Sequence, residues 1–323
     1  MVPSVPGDSS EPDSSPSPSG GERLSRERLA GRELGGLVLL TVLWGLNWPI
    51  MKVGVSAIAP MTFRSLTMVI ALPLLWWMIR RAGESICIPR EHWREVLLIG
   101  LFNLVIWYVC VMYGVALLSS GRAAILGYTM PIWAAVLGML IYGERPGRRL
   151  ALGVIAAACG VALLMASEFS AISGSPAGTA LMLLAAVSWA FGTHLTRRRR
   201  LSASIKVITF WSVVLALIVC AAIALASEAG RWRPDAIGVP ALFSVVYNGV
   251  IVFGVAQLLW FRLASTLSPV ASGLSVLMIP VIGLASGALG LGETLHWQDG
   301  VALGCVVFAI AMVVLPARGG RAG

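Results

Sequence analysis

From Leu34 onward the chain alternates long apolar runs with short polar or basic ones. Ten apolar runs span approximately 34–54, 61–79, 95–118, 121–142, 150–167, 177–196, 206–226, 239–261, 268–291 and 300–316. Each approaches the ~20 residues an α-helix needs to cross a hydrocarbon layer of about 30 Å. The runs are too long and too evenly apolar for barrel strands, and lipid leaves no backbone polar group a partner outside the helix itself. The pattern therefore predicts an all-α polytopic membrane protein with ten transmembrane helices. Residues 1–33 are rich in Pro and Ser and then mix Arg with Glu, which predicts a disordered cytoplasmic tail, and 317–323 reads as a second short tail. No charged stretch followed by a short apolar one opens the chain, so its start does not read as a cleaved secretory signal.

Composition narrows the class further. Hydrophobic residues make up 58% of the 323 and charged residues 12%, with a mean hydropathy of +0.86; a soluble domain carries about 25% charged residues. A soluble fold, a disordered chain, a coiled coil and a disulfide scaffold are all excluded. The five cysteines, Cys87, Cys110, Cys159, Cys220 and Cys305, show no C-x-x-C spacing, and four lie inside apolar runs, where they read as packing rather than metal or redox chemistry.

The formal charge of +9 would suggest nucleic acid on a soluble chain. Here the cations fall in the short segments between spans. With the N-terminus cytoplasmic, nineteen of the 24 Lys and Arg lie on the cytoplasmic side and three, Arg122, Arg231 and Arg233, on the other. Lys52 and Arg64 lie within or at the end of spans. This bias places both termini in the cytoplasm and makes the lipid bilayer, not nucleic acid, the partner of the basic residues.

The chain also repeats itself. Residues 100–144 align without a gap on 249–293, with Gly100/Gly249, Leu118/Leu267, Ser119/Ser268, Pro131/Pro280, Gly138/Gly287, Leu140/Leu289, Gly143/Gly292 and Glu144/Glu293 identical. Upstream, an offset of 145 pairs Trp44 with Trp189 and Lys52 with Arg197. Five spans per half is an odd number, so two repeats, 34–167 and 177–316, must cross the membrane in opposite senses. Such inverted repeats open a shared midplane cavity to either side by rocking.

Candidate cavity residues follow from this arrangement. Trp44, Trp107, Pro131, Trp189 and Pro280 fall near mid-span. Trp44, Asn47 and Met51 share one helical face, as do Asn103, Trp107 and Cys110, and span eight offers Phe253, Gln257 and Trp260. Asn47, Asn103, Asn248 and Gln257 are costly toward lipid and should point inward, to neighbouring helices or to a substrate. Tyr128 in span four joins the set. His194 reads as an interhelical hydrogen-bond partner or a proton carrier. Pro131 and Pro280 each free a carbonyl, which suits a cavity wall or hinge as well as a plain packing kink. Lys52 and Arg64, toward the outer side, either snorkel or line a vestibule attractive to a substrate carboxylate.

Several chemistries find no residues. No carboxylate lies at a span centre, as ion-coupled carriers commonly require. The three histidines are scattered, with no H-E-x-x-H, no paired carboxylates and no G-x-x-x-x-G-K-[ST], so no catalytic residue, metal or other cofactor is expected. Rings of charge or a filter loop, which a channel would need, do not occur.

Taken together, Trp44-Gly45-Leu46-Asn47 followed by Lys52, then Phe63-Arg64, Pro131, Gly143-Glu144, and the echo Pro280 and Gly292-Glu293, closely resemble the EamA-type transporters of the drug/metabolite transporter superfamily. The likeness runs from about 34 to 316. In the second half W-G-x-N becomes Trp189-Ala190-Phe191-Gly192, so the two halves of the cavity differ. The resemblance implies a ten-helix carrier of the bacterial cytoplasmic (inner) membrane, commonly an exporter of amino acids or other small metabolites. The related four-helix multidrug pumps use a glutamate in their first helix, which is missing here, and nucleotide-sugar and triose-phosphate carriers use several basic cavity residues where this chain offers Lys52 and Arg64. The resulting expectation is alternating access. Trp44, Trp107 and Trp260 would hold the apolar part of a small-molecule substrate, and Asn47, Asn103 and Gln257 its polar groups. A drug or quaternary-amine pump, a channel and a non-transporting membrane protein are the alternatives, and a homodimer is compatible with the chain.

Overall fold

The computed structural model describes residues 20–143, 147–170, 175–231, 237–263 and 269–314; the expected tails over 1–19 and 317–323, and Glu144, lie outside them. Every apolar run coincides with a helix: α1 (Gly20–Ala57), α2 (Pro60–Arg81), α3 (Arg90–Leu117), α4 (Ser120–Ile141), α5 (Arg148–Ser170), α6 (Pro176–Arg197), α7 (Ile205–Ser227), α8 (Val239–Leu263), α9 (Pro269–Leu291) and α10 (Trp297–Val314). Eight of them, α1 to α8, are long and apolar enough to cross a membrane, and Leu277–Leu291 and Trp297–Val313 form shorter apolar helices. No strand occurs among the described residues.

One boundary departs from expectation. Helix α1 starts at Gly20, inside the segment read as a tail.

Side chains that a soluble protein would bury face outward here, Leu289 at 89% exposure and Leu140 at 77%. At the end of α2, Arg80 lies over the Trp76 ring (5.8 Å) and Arg81 over Trp77 (5.5 Å). Tryptophan beside arginine at a span end is the residue choice of a membrane–water interface.

Packing pairs the helices in a regular way. Contacts join α1 with α9, α4 with α6, α3 with α6, α1 with α8, α2 with α8, α3 with α7, α2 with α7, α4 with α9 and α5 with α10. Moving each helix five places along the chain maps this set onto itself: α1–α9 becomes α6–α4, α3–α6 becomes α8–α1, and α2–α8 becomes α7–α3. Local geometry follows the same offset. Helix α3 contains a π-helical turn at Leu101–Val105 and α8 one at Tyr247–Ala256. Gly143 and Gly292 end their helices at φ of +65° and +66°, left-handed conformations that a side chain would strain.

Carboxylates fasten the helix ends. Glu228, after α7, accepts the N–H groups of Met61 (3.0 Å) and Thr62 (2.8 Å) at the start of α2, together with the Thr62 hydroxyl. Glu84, after α2, reciprocally accepts Lys206 Nζ (2.6 Å) and the Ser204 hydroxyl at the start of α7. Glu293 accepts Ser120 N (2.7 Å), Ser120 Oγ (2.9 Å) and Gly121 N at the start of α4. First-turn N–H groups have no partner within their own helix, and the helix dipole favours a negative charge beside them.

Candidate functional site

The expected face of three tryptophans is divided into two pairs. Trp44 of α1 meets Trp260 of α8 with ring centroids 5.6 Å apart, and Trp107 of α3 meets Trp189 of α6 at 5.0 Å. All four rings are half-buried. Trp189 stands at the offset of 145 from Trp44, whereas the offset of 149 carries Trp107 to Ala256 rather than Trp260, so the two pairs correspond in one member only. Aromatic pairs at these distances contribute about 0.5–1.5 kcal/mol beyond the burial of their surfaces.

The polar groups beside the pairs are not equivalent. In α6 the position matching Asn47 is Gly192, and Asn103 of α3 presses against it: a Cβ there would lie 2.5 Å from Asn103 Oδ1. Glycine is required for this approach. Asn103 Nδ2 donates to Thr196 Oγ1 (3.0 Å), and the Thr196 hydroxyl donates to Gly192 O (2.8 Å), a chain that orients the amide. Asn103 Oδ1 is left buried without a partner, as are Asn47 Oδ1 and Asn248 Oδ1. A buried acceptor left unpaired costs about 1–3 kcal/mol. Asn103 lies within the π-helical turn of α3 and Asn248 within that of α8; such turns frequently mark functional sites. Gln257 follows directly on the second turn and is half-buried.

Tyr128 is buried, with its ring 6.2 Å from Trp48. Phe253 is buried 5.9 Å from Tyr108. His194 joins α6 to α4 through Nε2 and Ala134 O at 2.7 Å, the interhelical role.

Three expectations are corrected. Lys52 is not a snorkelling or vestibule charge: its ammonium donates to Val115 O (2.9 Å), Ala116 O (3.0 Å) and Leu118 O (2.8 Å), so its three N–H groups close the C-terminal end of α3. An ammonium opposite unpaired C-terminal carbonyls is electrostatically well placed. Arg64 does not reach an outer surface either. It is 2% exposed, with Tyr108 at 4.4 Å under the guanidinium. Pro131 and Pro280, finally, are not structurally alike. Pro280 is buried inside α9, whereas Pro131 starts the segment Met130–Tyr142 after a break at Tyr128–Thr129, where a missing N–H costs nothing.

Sequence reasoning missed Trp48, Tyr108, Met112, Glu228 and Tyr247. Tyr247 Oη donates to Leu43 O (2.9 Å), tying α8 to α1. Tyr108 and Met112 are four apart on α3, a stripe that a buried arginine needs and that could have been sought. An open groove of about 470 Å³ runs between α1 and α9. Its lining is apolar apart from Ser286, whose hydroxyl already donates to Ile282 O, so it suits a lipid chain better than a polar solute.

Comparison with known proteins adds a function class. The model of a family described as the EamA-like transporter family matches residues 33–166 and again 176–315. An uncharacterized transporter, YoaV of Bacillus subtilis, is 23% identical over 80% of this chain and 88% of its own. A probable amino-acid metabolite efflux pump of Escherichia coli is 26% identical over 80% of this chain and 86% of its own. One solved crystal structure covers 88% of this chain at 18% identity with a TM-score of 0.61, a likeness of fold.

Proposed function

Because the chain belongs to the EamA-like transporter family, we propose that it is a secondary transporter that exports a small polar metabolite, such as an amino acid, across the bacterial cytoplasmic membrane. All ten helices cross the bilayer in this reading, as two inverted five-helix repeats with both termini cytoplasmic. The family model's double match and the helix contacts that survive exchange of the halves support it. The observation that carries it is the pair of buried amide oxygens, Asn47 Oδ1 and Asn103 Oδ1, left without donors on helices whose tryptophans pair beside them. A solute with N–H or O–H donors completes these acceptors, and rocking of one repeat against the other carries it across. The relative named as an amino-acid metabolite efflux pump agrees with such a cargo.

Counterflow in liposomes with amino acids, nucleosides and quaternary amines tests this. Trp44→Ala and Asn47→Ala should each lower amino-acid counterflow at least tenfold, the effect of about 1.4 kcal/mol, with unchanged membrane insertion. Normal counterflow in both variants removes these residues from the site, and a preference for quaternary amines favours the drug-pump reading.

A further inference from the structure

Arg64 is a buried charge that the fold answers with weak partners. Its guanidinium is 2% exposed, among the described residues no carboxylate pairs with it, and its hydrogen bonds go to sulfur, Nε to Met112 Sδ (3.4 Å) and Nη2 to Met51 Sδ (3.1 Å). Three aromatic rings lie around it, Tyr108 at 4.4 Å, Phe63 at 5.9 Å and Phe253 at 6.0 Å. An arginine has five N–H donors in a planar fork shaped for a carboxylate, and a thioether is a weak acceptor. Two other cations have stronger acceptors. Lys52 has three carbonyls, and Arg122 has Asp299 at 2.6 Å. The contrast lies in the kind of partner, since soft sulfur and π-faces can release a guanidinium to a stronger acceptor without leaving an ion unpaired.

Position strengthens the argument. Met51, which touches Arg64, is one helical turn from Asn47 on the same face of α1. The ring of Phe253 belongs to the π-helical turn that also holds Asn248. The residue that the fork of donors touches, Met51, is thus one helical turn along α1, a rise of about 5.4 Å, from Asn47, whose buried acceptor lacks a donor. We propose that Arg64 is the anion subsite of the transport path and that the substrate carries a carboxylate, received by Arg64, together with an amine or hydroxyl donor received by Asn47. In the structure the sulfur atoms of Met51 and Met112 stand where the carboxylate oxygens would. This inference rests on the transporter reading and narrows its substrate to carboxylate-bearing metabolites.

The test reads binding rather than flux. Purified full-length protein is melted with each standard L-α-amino acid, its carboxamide and its decarboxylated amine. The expectation is stabilisation by one or more acids and not by the amide or amine of the same side chain. Arg64→Met should melt no lower than wild type without ligand and lose the acid-selective stabilisation. Arg64→Lys, which keeps the charge but loses the fork, should need about tenfold more of the same acid. Equal response to acid and amide, no acid-selective response in wild type, acid selectivity that persists in Arg64→Met, or unchanged acid affinity in Arg64→Lys overturns the proposal. Acid-selective binding without counterflow sinks the transporter reading and leaves the anion site standing.

Discussion

The interface of α1 with α8 and that of α6 with α3 have the same plan and different contents. Each pairs two tryptophans, and one helix of each pair, α8 or α3, contains a π-helical turn. In the first, Tyr247 donates to Leu43 O, Ser244 donates to Ile50 O, and Asn47 keeps a free acceptor. In the second, Ser188 donates to Phe102 O, and Gly192 stands where Asn47 does, admitting Asn103 from the neighbouring helix. The lesson is that exchange of the halves preserves apolar packing and backbone form, while polar side chains escape it. Packing tolerates duplication because shape alone must match; a binding site for an asymmetric solute gains from groups that differ on its two sides.

The largest expected effect breaks the second interface alone. Gly192→Leu drives a side chain into Asn103 and the α3 backbone, where Asn103 N would also lie 2.7 Å from the new Cβ. Overpacking of this kind costs about 1–3 kcal/mol or more, so the melting temperature and the yield of folded protein should fall. Asn47→Ala at the matching position should leave both unchanged, because its acceptor is already unpaired. If Gly192→Leu melts like wild type, the close approach of α3 and α6 is wrong.

A smaller effect compares the two reciprocal fasteners of α2 and α7. Glu228 is 3% exposed and holds two backbone N–H groups and a hydroxyl, so Glu228→Ala should destabilise by about 2 kcal/mol, within the range for bonds to buried charged groups. Its counterpart Glu84 is more exposed, and Glu84→Gln should cost far less. Chemical denaturation of both variants ranks them, and the reverse order contradicts the comparison.

The smallest effect is in pH. The hydrogen bond from Lys206, followed by that from Ser204, holds the Glu84 carboxyl below its ordinary value. A carboxyl lowered on folding stabilises above its unfolded pKa of about 4.3, and that contribution is lost as pH falls through the lower folded value. Wild type should therefore lose stability on acidification slightly more steeply than Glu84→Gln below about pH 4.3. Identical slopes in a pH series of melts would remove Glu84 from the fastening of α7.

Much of the molecule was legible before its structure. The spans could be read because the bilayer forces each backbone to satisfy itself, which leaves a local signature of length and hydropathy. The offsets of 145 and 149 could be read because duplication is written in the chain, and Gly143 and Gly292 then carry the same left-handed caps. Trp44, Trp107 and Trp189 read as mid-span aromatic groups and Trp260 as a member of the span-eight set, while their division into two pairs was not legible. The fates of Lys52 and Arg64 could not be told apart: both are cations of the early spans, yet one meets the end of α3 and the other the rings of Tyr108 and Phe253. Pro131 read as a kink because nothing in its neighbours announces the break at Tyr128–Thr129.

What the chain determines by itself is thus what lipid imposes residue by residue, its apolar helices, together with its membership in a transporter family. Only the tertiary structure decided which polar groups are answered. Glu228 finds α2, Lys52 finds α3 and Asn103 finds Gly192 across many intervening residues. Hydrogen bonds act over about 3 Å whatever the distance along the chain, so a partner far away in sequence leaves no mark in the local pattern, and a buried group with only weak ones, such as Arg64 among sulfur and rings, becomes visible only once every neighbour is in place.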